Sequence, residues 1–340
     1  MKHPINMTML LVVMFLIAQL VGLLIISEYI DIRASHETGA TVKNTEVYNR
    51  IGIEPPEVKN ESVSFIFILG AVLLGTVLIL LIIQFGQHRL WKIWYLFAVL
   101  MSLLVALNPF IFKAMVFLGI VSFISPYIIT VIISLGLSVM KVFMPNLYIH
   151  NATEVLIYGG LAALLVPILN LFSVAILLIA ISIYDAYAVW KSKHMVKMAE
   201  FQRDTNLFAG FSFPYRTVKG YLGKKAVEIP KPVKSETKAK AAANTSASAS
   251  AHTTSPSPKG SAPTSAILGG GDIAFPLLFA GVVMKTTGSY LYPLIVVVAA
   301  ATALFVLFWR AEKGKFYPAM PFLSVGCFLG LFICWLASLI

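Results

Sequence analysis

Charge is scarce in this sequence. Of its 340 residues only 12% are Asp, Glu, Lys or Arg, and 59% are hydrophobic; a soluble domain carries about 25% charged residues. That shortage excludes an ordinary water-soluble globular domain and puts most of the chain in lipid. Cysteine is scarcer still. Cys327 and Cys334 lie seven apart on one apolar stretch, two helical turns apart and too distant for a disulfide, so they are expected to be packing residues. No Cys/His cluster has metal-ligand spacing and no HExxH sequence occurs, so neither metal nor other cofactor is expected. No cleavage site follows the first apolar run, and that run is too long for a signal-peptide core; it is read as a retained span.

What is present is a series of apolar runs. They predict spans at roughly 7–26, 62–84, 91–109, 117–142, 153–169, 171–190, 267–284, 290–309 and 318–339. The third and fourth are divided at Asn108-Pro109 through Lys113, and the fifth and sixth near Asn170. The expected fold is therefore all-α and integral to the membrane: nine helices, a six-span N-terminal half (1–192) and a three-span C-terminal part (266–340).

Between the halves lies a basic linker, 193–265. The stretch 191–265 holds thirteen of the 26 Lys and Arg against four acidic residues, and supplies most of the net charge of +11. Its start, 193–210, spaces Met195, Met198, Phe201, Leu207 and Phe208 among charges, as an interfacial amphipathic helix or a solvated loop would. Residues 232–265 are low-complexity Ala, Ser, Thr, Pro and Lys and are expected to be disordered. The positive charge suits anionic headgroups of the bilayer; nothing in it suggests a nucleic-acid partner. Basic residues concentrated in this linker, with few in alternate loops, predict a cell-membrane protein with a cytoplasmic N-terminus and an external C-terminus.

Fifteen acidic residues remain to be placed. Seven fall in the loop 27–61 and four in the linker, while Glu154 and Glu312 are read as span-edge residues. Asp185 and Asp272 alone are left inside apolar sequence, where a carboxylate is costly and so implies function. Asp185 lies about 21 Å along the sixth span, and Asp272 about 18 Å before the end of the seventh, at 1.5 Å per residue. The two therefore reach similar levels on sequential, antiparallel spans. Close carboxylates cannot both ionise and come to share a proton. Such a pair serves two chemistries, water activation for aspartic proteolysis and proton or ion relay in a transporter. Depth and count do not separate them. A relay calls for further polar residues along a path, and Gln19, Asn108, Asn170 and Thr302 are the scattered candidates.

The local sequence separates them. Asp185 follows Tyr184, Asp272 closes Gly269-Gly270-Gly271-Asp272, and Pro318-Ala319-Met320-Pro321 opens the last span. A YD, GxGD and PAL set in this order resembles the presenilin and signal peptide peptidase family of intramembrane aspartyl proteases. The likeness is best from about 153 onward, and a chain this short looks like an archaeal presenilin homologue. The resemblance implies Asp185 and Asp272 as the catalytic pair, with Pro318, Ala319, Met320 and Pro321 beside them shaping the cleft. Met320 stands where the family has Leu, a volume-conserving change. Gly269 and Gly271 would allow a substrate backbone to approach. Tyr184 either orients Asp185 or sits in an interfacial aromatic belt. The substrates implied are transmembrane helices of other proteins, unwound locally and added as a strand near Ser265–Leu268 or Arg310–Tyr317. No obligatory partner subunit is expected, and self-cleavage in the linker is possible by analogy.

Overall fold

The computed structural model describes residues 5–56, 61–121, 123–144, 146–191, 208–214, 265–311 and 317–339. Its helices are α1 (Ile5–Tyr29), α2 (Ile32–Thr38), α3 (Thr45–Ile51), α4 (Ser64–Gln84), α5 (His88–Phe117), α6 (Pro126–Phe143), α7 (Leu147–Leu165), α8 (Leu171–Trp190), α9 (Gly270–Thr287), α10 (Leu291–Arg310) and α11 (Met320–Ala337). Strands β1 (Gly210–Pro214) and β2 (Ser265–Gly269) form a two-stranded sheet. The chain divides into one unit of Met1–Phe213 with Ala266–Ile340 and a second of Pro214–Ser265. Nearly all of the linker, including the expected amphipathic start up to residue 207 and the low-complexity part up to residue 264, lies outside the described residues.

Eight of the described helices are long and apolar enough to cross a membrane: α1, α4 through α8, α10 and α11. The helix at the expected seventh span, α9, is also 18 residues long but includes Asp272 and Lys285. Eight of the nine expected spans are thus long and apolar enough by composition, and α9 stands where the remaining one is expected. Its burial explains why it tolerates those charges. Ile273 and every residue from Pro276 to Lys285 are buried, and it packs against α1, α2, α7, α8, α10 and α11. A helix buried all round faces protein rather than lipid.

One expected boundary is wrong. Asn108-Pro109 does not end the third span, because α5 runs through Pro109 to Phe117. Proline in a helix removes the hydrogen bond to the carbonyl four residues back, here Val105. The hydroxyl of Tyr29 donates to that carbonyl instead, at 2.7 Å. A second case repeats the device. Pro167, in the short 3-10 turn after α7, cannot donate to Ala163, and the Tyr48 hydroxyl does so at 2.8 Å. The two tyrosine rings lie 4.8 Å apart, both buried. Tyr48 comes from α3, so the loop 27–61 is more than a solvated connection: its short helix inserts Val47, Tyr48 and Ile51 into a core cluster with Ile25, Val105 and Ala163. The break near Asn170 is where it was expected. Asn170 caps α8, its side chain accepting from the amide of Ser173 at 2.8 Å.

One charge also sits differently from its expected place, and it has a buried partner. Glu154 is not at a span edge but eight residues into α7, and Lys141 lies within α6. They are 1% and 3% exposed, deep between α6 and α7, and their side chains meet at 2.6 Å. Each lies near the end of its apolar run, so the sequence does not reveal that the two ends fold against one another. At the other end of the bundle Lys285 is buried and paired with Glu61 at 3.2 Å.

Candidate active site

Asp185 lies in the last third of α8, and Asp272 in the first turn of α9, which packs against α8. The two carboxylates are close enough to interact electrostatically. Both are intermediate in exposure.

Each carboxylate is held by backbone. The Met320 amide donates to Asp185 Oδ2 at 3.1 Å, and the Ala319 amide also acts on this carboxylate. These residues open α11, whose N-cap is Ala319. The free amides of a helix N-terminus form a natural anion site. The Pro-Ala-Met-Pro sequence thus starts a helix whose first amides face Asp185. Pro321 falls in the first turn, where proline is tolerated. Pro318 and the Met320 side chain are buried. Two serines that the sequence motifs do not include fix the approach of α11 to α8. Ser182 and Ser324 hydroxyls meet at 2.7 Å, one turn from Asp185 and Met320 respectively. A signal for them exists in the sequence: each lies three or four residues from a motif residue, on the same helical face.

Asp272 is the third residue of α9 after the N-cap Gly269, and its carboxylate interacts with the Gly269 backbone amide. An acid at this position reaching back to the N-cap amide is one half of a capping box. From α1, the Gln19 amide donates to the carbonyl of the next residue, Ile273, at 2.8 Å. The seventh span begins three residues later than expected, because 265–269 is strand rather than helix.

The glycines divide unexpectedly. A Cβ on Gly271 would meet only Phe275, at 3.7 Å, and one on Gly269 would touch Asp272 Oδ2 at 3.2 Å. Gly270, the variable position of GxGD, is the crowded one: its Cβ would run into the Tyr158 hydroxyl and fall 3.0 Å from the ring. Tyr158 in turn donates to the Glu154 carboxylate. Tyr184 is half-exposed, and no bond joins it to Asp185 among the described contacts. Of the polar residues that a relay would use, Gln19 serves Ile273, Asn108 donates to the Val47 carbonyl at 3.3 Å, and Thr302 to Val298 at 2.8 Å. These three donate to backbone carbonyls, and Asn170 caps α8. Among the described residues no cluster of His, Cys, Asp and Glu has the makings of a metal site.

Residues 21–340 match the family model described as signal-peptide peptidase, presenilin aspartyl protease. The chain belongs to this family. Among solved structures it is similar to a presenilin family intramembrane aspartate protease in a P2 crystal form, at 18% identity and a TM-score of 0.56 over 97% of each chain. A C222 form of such a protease matches with 18% identity and a TM-score of 0.52, covering 96% of this chain and 97% of that one. These likenesses carry the fold. No curated protein matched the sequence. As a member of this family the chain is a multi-pass membrane aspartyl protease, and the transporter reading is not favoured.

Proposed function

We propose that the protein hydrolyses peptide bonds within transmembrane helices of other proteins, with Asp185 and Asp272 as the catalytic pair. The observation that carries this reading is the convergence of the two acids. They come from separate helices and interact with one another; Asp272 is held by the amide of Gly269, and Asp185 by those of Ala319 and Met320 at the start of α11. One deprotonated carboxylate takes a proton from water as the oxygen attacks the scissile carbonyl carbon. The protonated partner polarises the carbonyl oxygen. Collapse of the tetrahedral intermediate passes a proton to the amide nitrogen and breaks the C–N bond, leaving a carboxyl and an amine terminus. The backbone amides at 319 and 320 limit the reorganisation of Asp185 as its charge changes.

A transmembrane helix buries its carbonyls in its own hydrogen bonds, so the substrate must unwind beside the pair. In lipid the freed groups need partners. β2 ends directly at Gly269, three residues before Asp272, and offers them by strand addition. Of the two segments expected to serve, Ser265–Leu268 lies within this strand; most of Arg310–Tyr317, from 312 to 316, falls outside the described residues. No further subunit is needed for this chemistry.

The test is direct. The purified full chain in detergent is incubated with a synthetic transmembrane peptide, and products are identified by mass spectrometry. Cleavage is expected to disappear in Asp185→Ala and in Asp272→Ala, and with transition-state inhibitors of aspartyl proteases. Full cleavage by either variant would sink the reading. Proteoliposome flux dependent on both aspartates, without cleavage, would restore the transporter.

A further inference from the structure

The strand β1 has two edges, and helices close one of them. The carbonyls of Phe208, Gly210 and Ser212 alternate along the chain with that of Ala209. Ala209 faces the β2 side, accepting from the Gly270 amide at 3.1 Å. The other three face side chains. Tyr95 of α5 donates to Phe208 at 3.4 Å, His150 of α7 lies 2.9 Å from Gly210, and Asn151 donates to Ser212 at 3.2 Å. Asn151 also accepts from the Ser212 amide, at 3.2 Å. Its carboxamide therefore pairs with Ser212 at two points, as a neighbouring strand would. Every second residue of the segment is held in this way, which is the period of a strand edge.

The buried charges behind this ladder fix its polarity. The Gly210 carbonyl can only accept, so His150 Nε2 carries a hydrogen. Nδ1 is then an acceptor and receives the Lys141 ammonium at 3.3 Å. Lys141 also holds Glu154, whose other oxygen takes the hydroxyl of Tyr158, the residue packed against Gly270. One continuous polar cluster thus runs from α6 through α7 to β1, and its Tyr158 lies against the first residue of α9.

We propose that Tyr95, His150 and Asn151 are positioning residues: a side-chain ladder that closes the outer edge of β1, leaves β2 as the pairing edge for substrate, and so fixes which peptide bond lies at the catalytic pair. This rests on the protease reading above. Without the ladder, the sheet is free to slip. A slip of about two residues keeps the same side chains on the same face, so it is the displacement that the product set should reveal.

Two measurements on the full chain in detergent test this. Hydrogen–deuterium exchange is read over 208–214, and cleavage positions in a synthetic transmembrane peptide are read by mass spectrometry. In Asn151→Leu the Ser212 amide is expected to exchange roughly fivefold to tenfold faster, and new products to appear about two residues from the wild-type position. His150→Ala is expected to shift products likewise, whereas His150→Gln, which keeps a donor near Gly210, retains the wild-type position. Asn151→Asp keeps the acceptor for Ser212 and so retains slow exchange there, a control should Asn151→Leu fold poorly. Unchanged exchange in Asn151→Leu overturns the ladder. Faster exchange with unchanged products overturns its role in bond selection. A wild-type chain that leaves the peptide intact overturns the protease reading instead, and exchange still decides whether the ladder holds β1.

Discussion

At the scale of single residues, the bundle is organised around backbone groups that proline leaves unpaired. Tyr29 and Tyr48 supply the donors that Pro109 and Pro167 lack. A buried acceptor stripped of its partner costs about 1–3 kcal/mol. Tyr29→Phe is therefore expected to lower stability by roughly that amount, read as a fall in the thermal midpoint of the detergent-solubilised chain, with cleavage retained at lower temperature. The motif glycines give a sharper contrast. Gly270→Ala forces a methyl group against Tyr158, while Gly271→Ala enters ordinary contact. The first is expected to reduce the cleavage rate far more than the second. Equal rates in the two variants would show that Tyr158 does not press on the GxGD backbone. Tyr158 is invisible from the sequence as a site residue because it lies more than a hundred positions before Gly270, on a different helix.

At the scale of elements, three helix starts or strand ends carry the site: the first turn of α9, the first turn of α11, and the sheet before Gly270. The sequence marks two of them by Gly269–Asp272 and Pro318–Pro321. Of the third, it leaves β1 unmarked, since Gly210–Pro214 is only five residues long and pairs with a segment some fifty residues away. The α6–α7 ion pair is the element-level feature most open to energetic test. Both side chains are about 1% exposed. Removing one partner leaves the other charge buried, at a cost of about 3–5 kcal/mol, whereas removing both is far milder. Lys141→Met alone is thus expected to destabilise strongly, and Lys141→Met with Glu154→Gln to recover most of the loss. A double variant no more stable than the single one in thermal denaturation would contradict a paired, buried origin.

At the scale of the whole molecule, we propose that an odd number of spans puts the termini on opposite sides, with the basic linker, and so the end of α8 and the start of α9, in the cytoplasm. That orientation would place Asp185 and Asp272 toward the cytoplasmic side. Reporter fusions check this: a C-terminal alkaline phosphatase fusion is expected to be active outside the cell, and an N-terminal fluorescent fusion to be bright inside. The reverse pattern would invert the depth of the site and the direction in which substrates enter.

Few charges and nine apolar runs determined from the sequence alone that this is an all-α membrane protein, because lipid leaves the backbone few other options. The same scarcity isolated Asp185 and Asp272, since a charge in an apolar run stands out by composition. Tertiary structure decided what composition does not carry: that Lys141 and Glu154, each near the end of its own run, meet in the interior; that α5 continues through Pro109 because Tyr29 reaches its freed carbonyl; and that side chains of α5 and α7 close one edge of a strand formed far along the chain. Burial cost is a property of each residue in turn and can be read in order. Pairing is a property of two distant positions, and only the fold brings them within hydrogen-bonding reach.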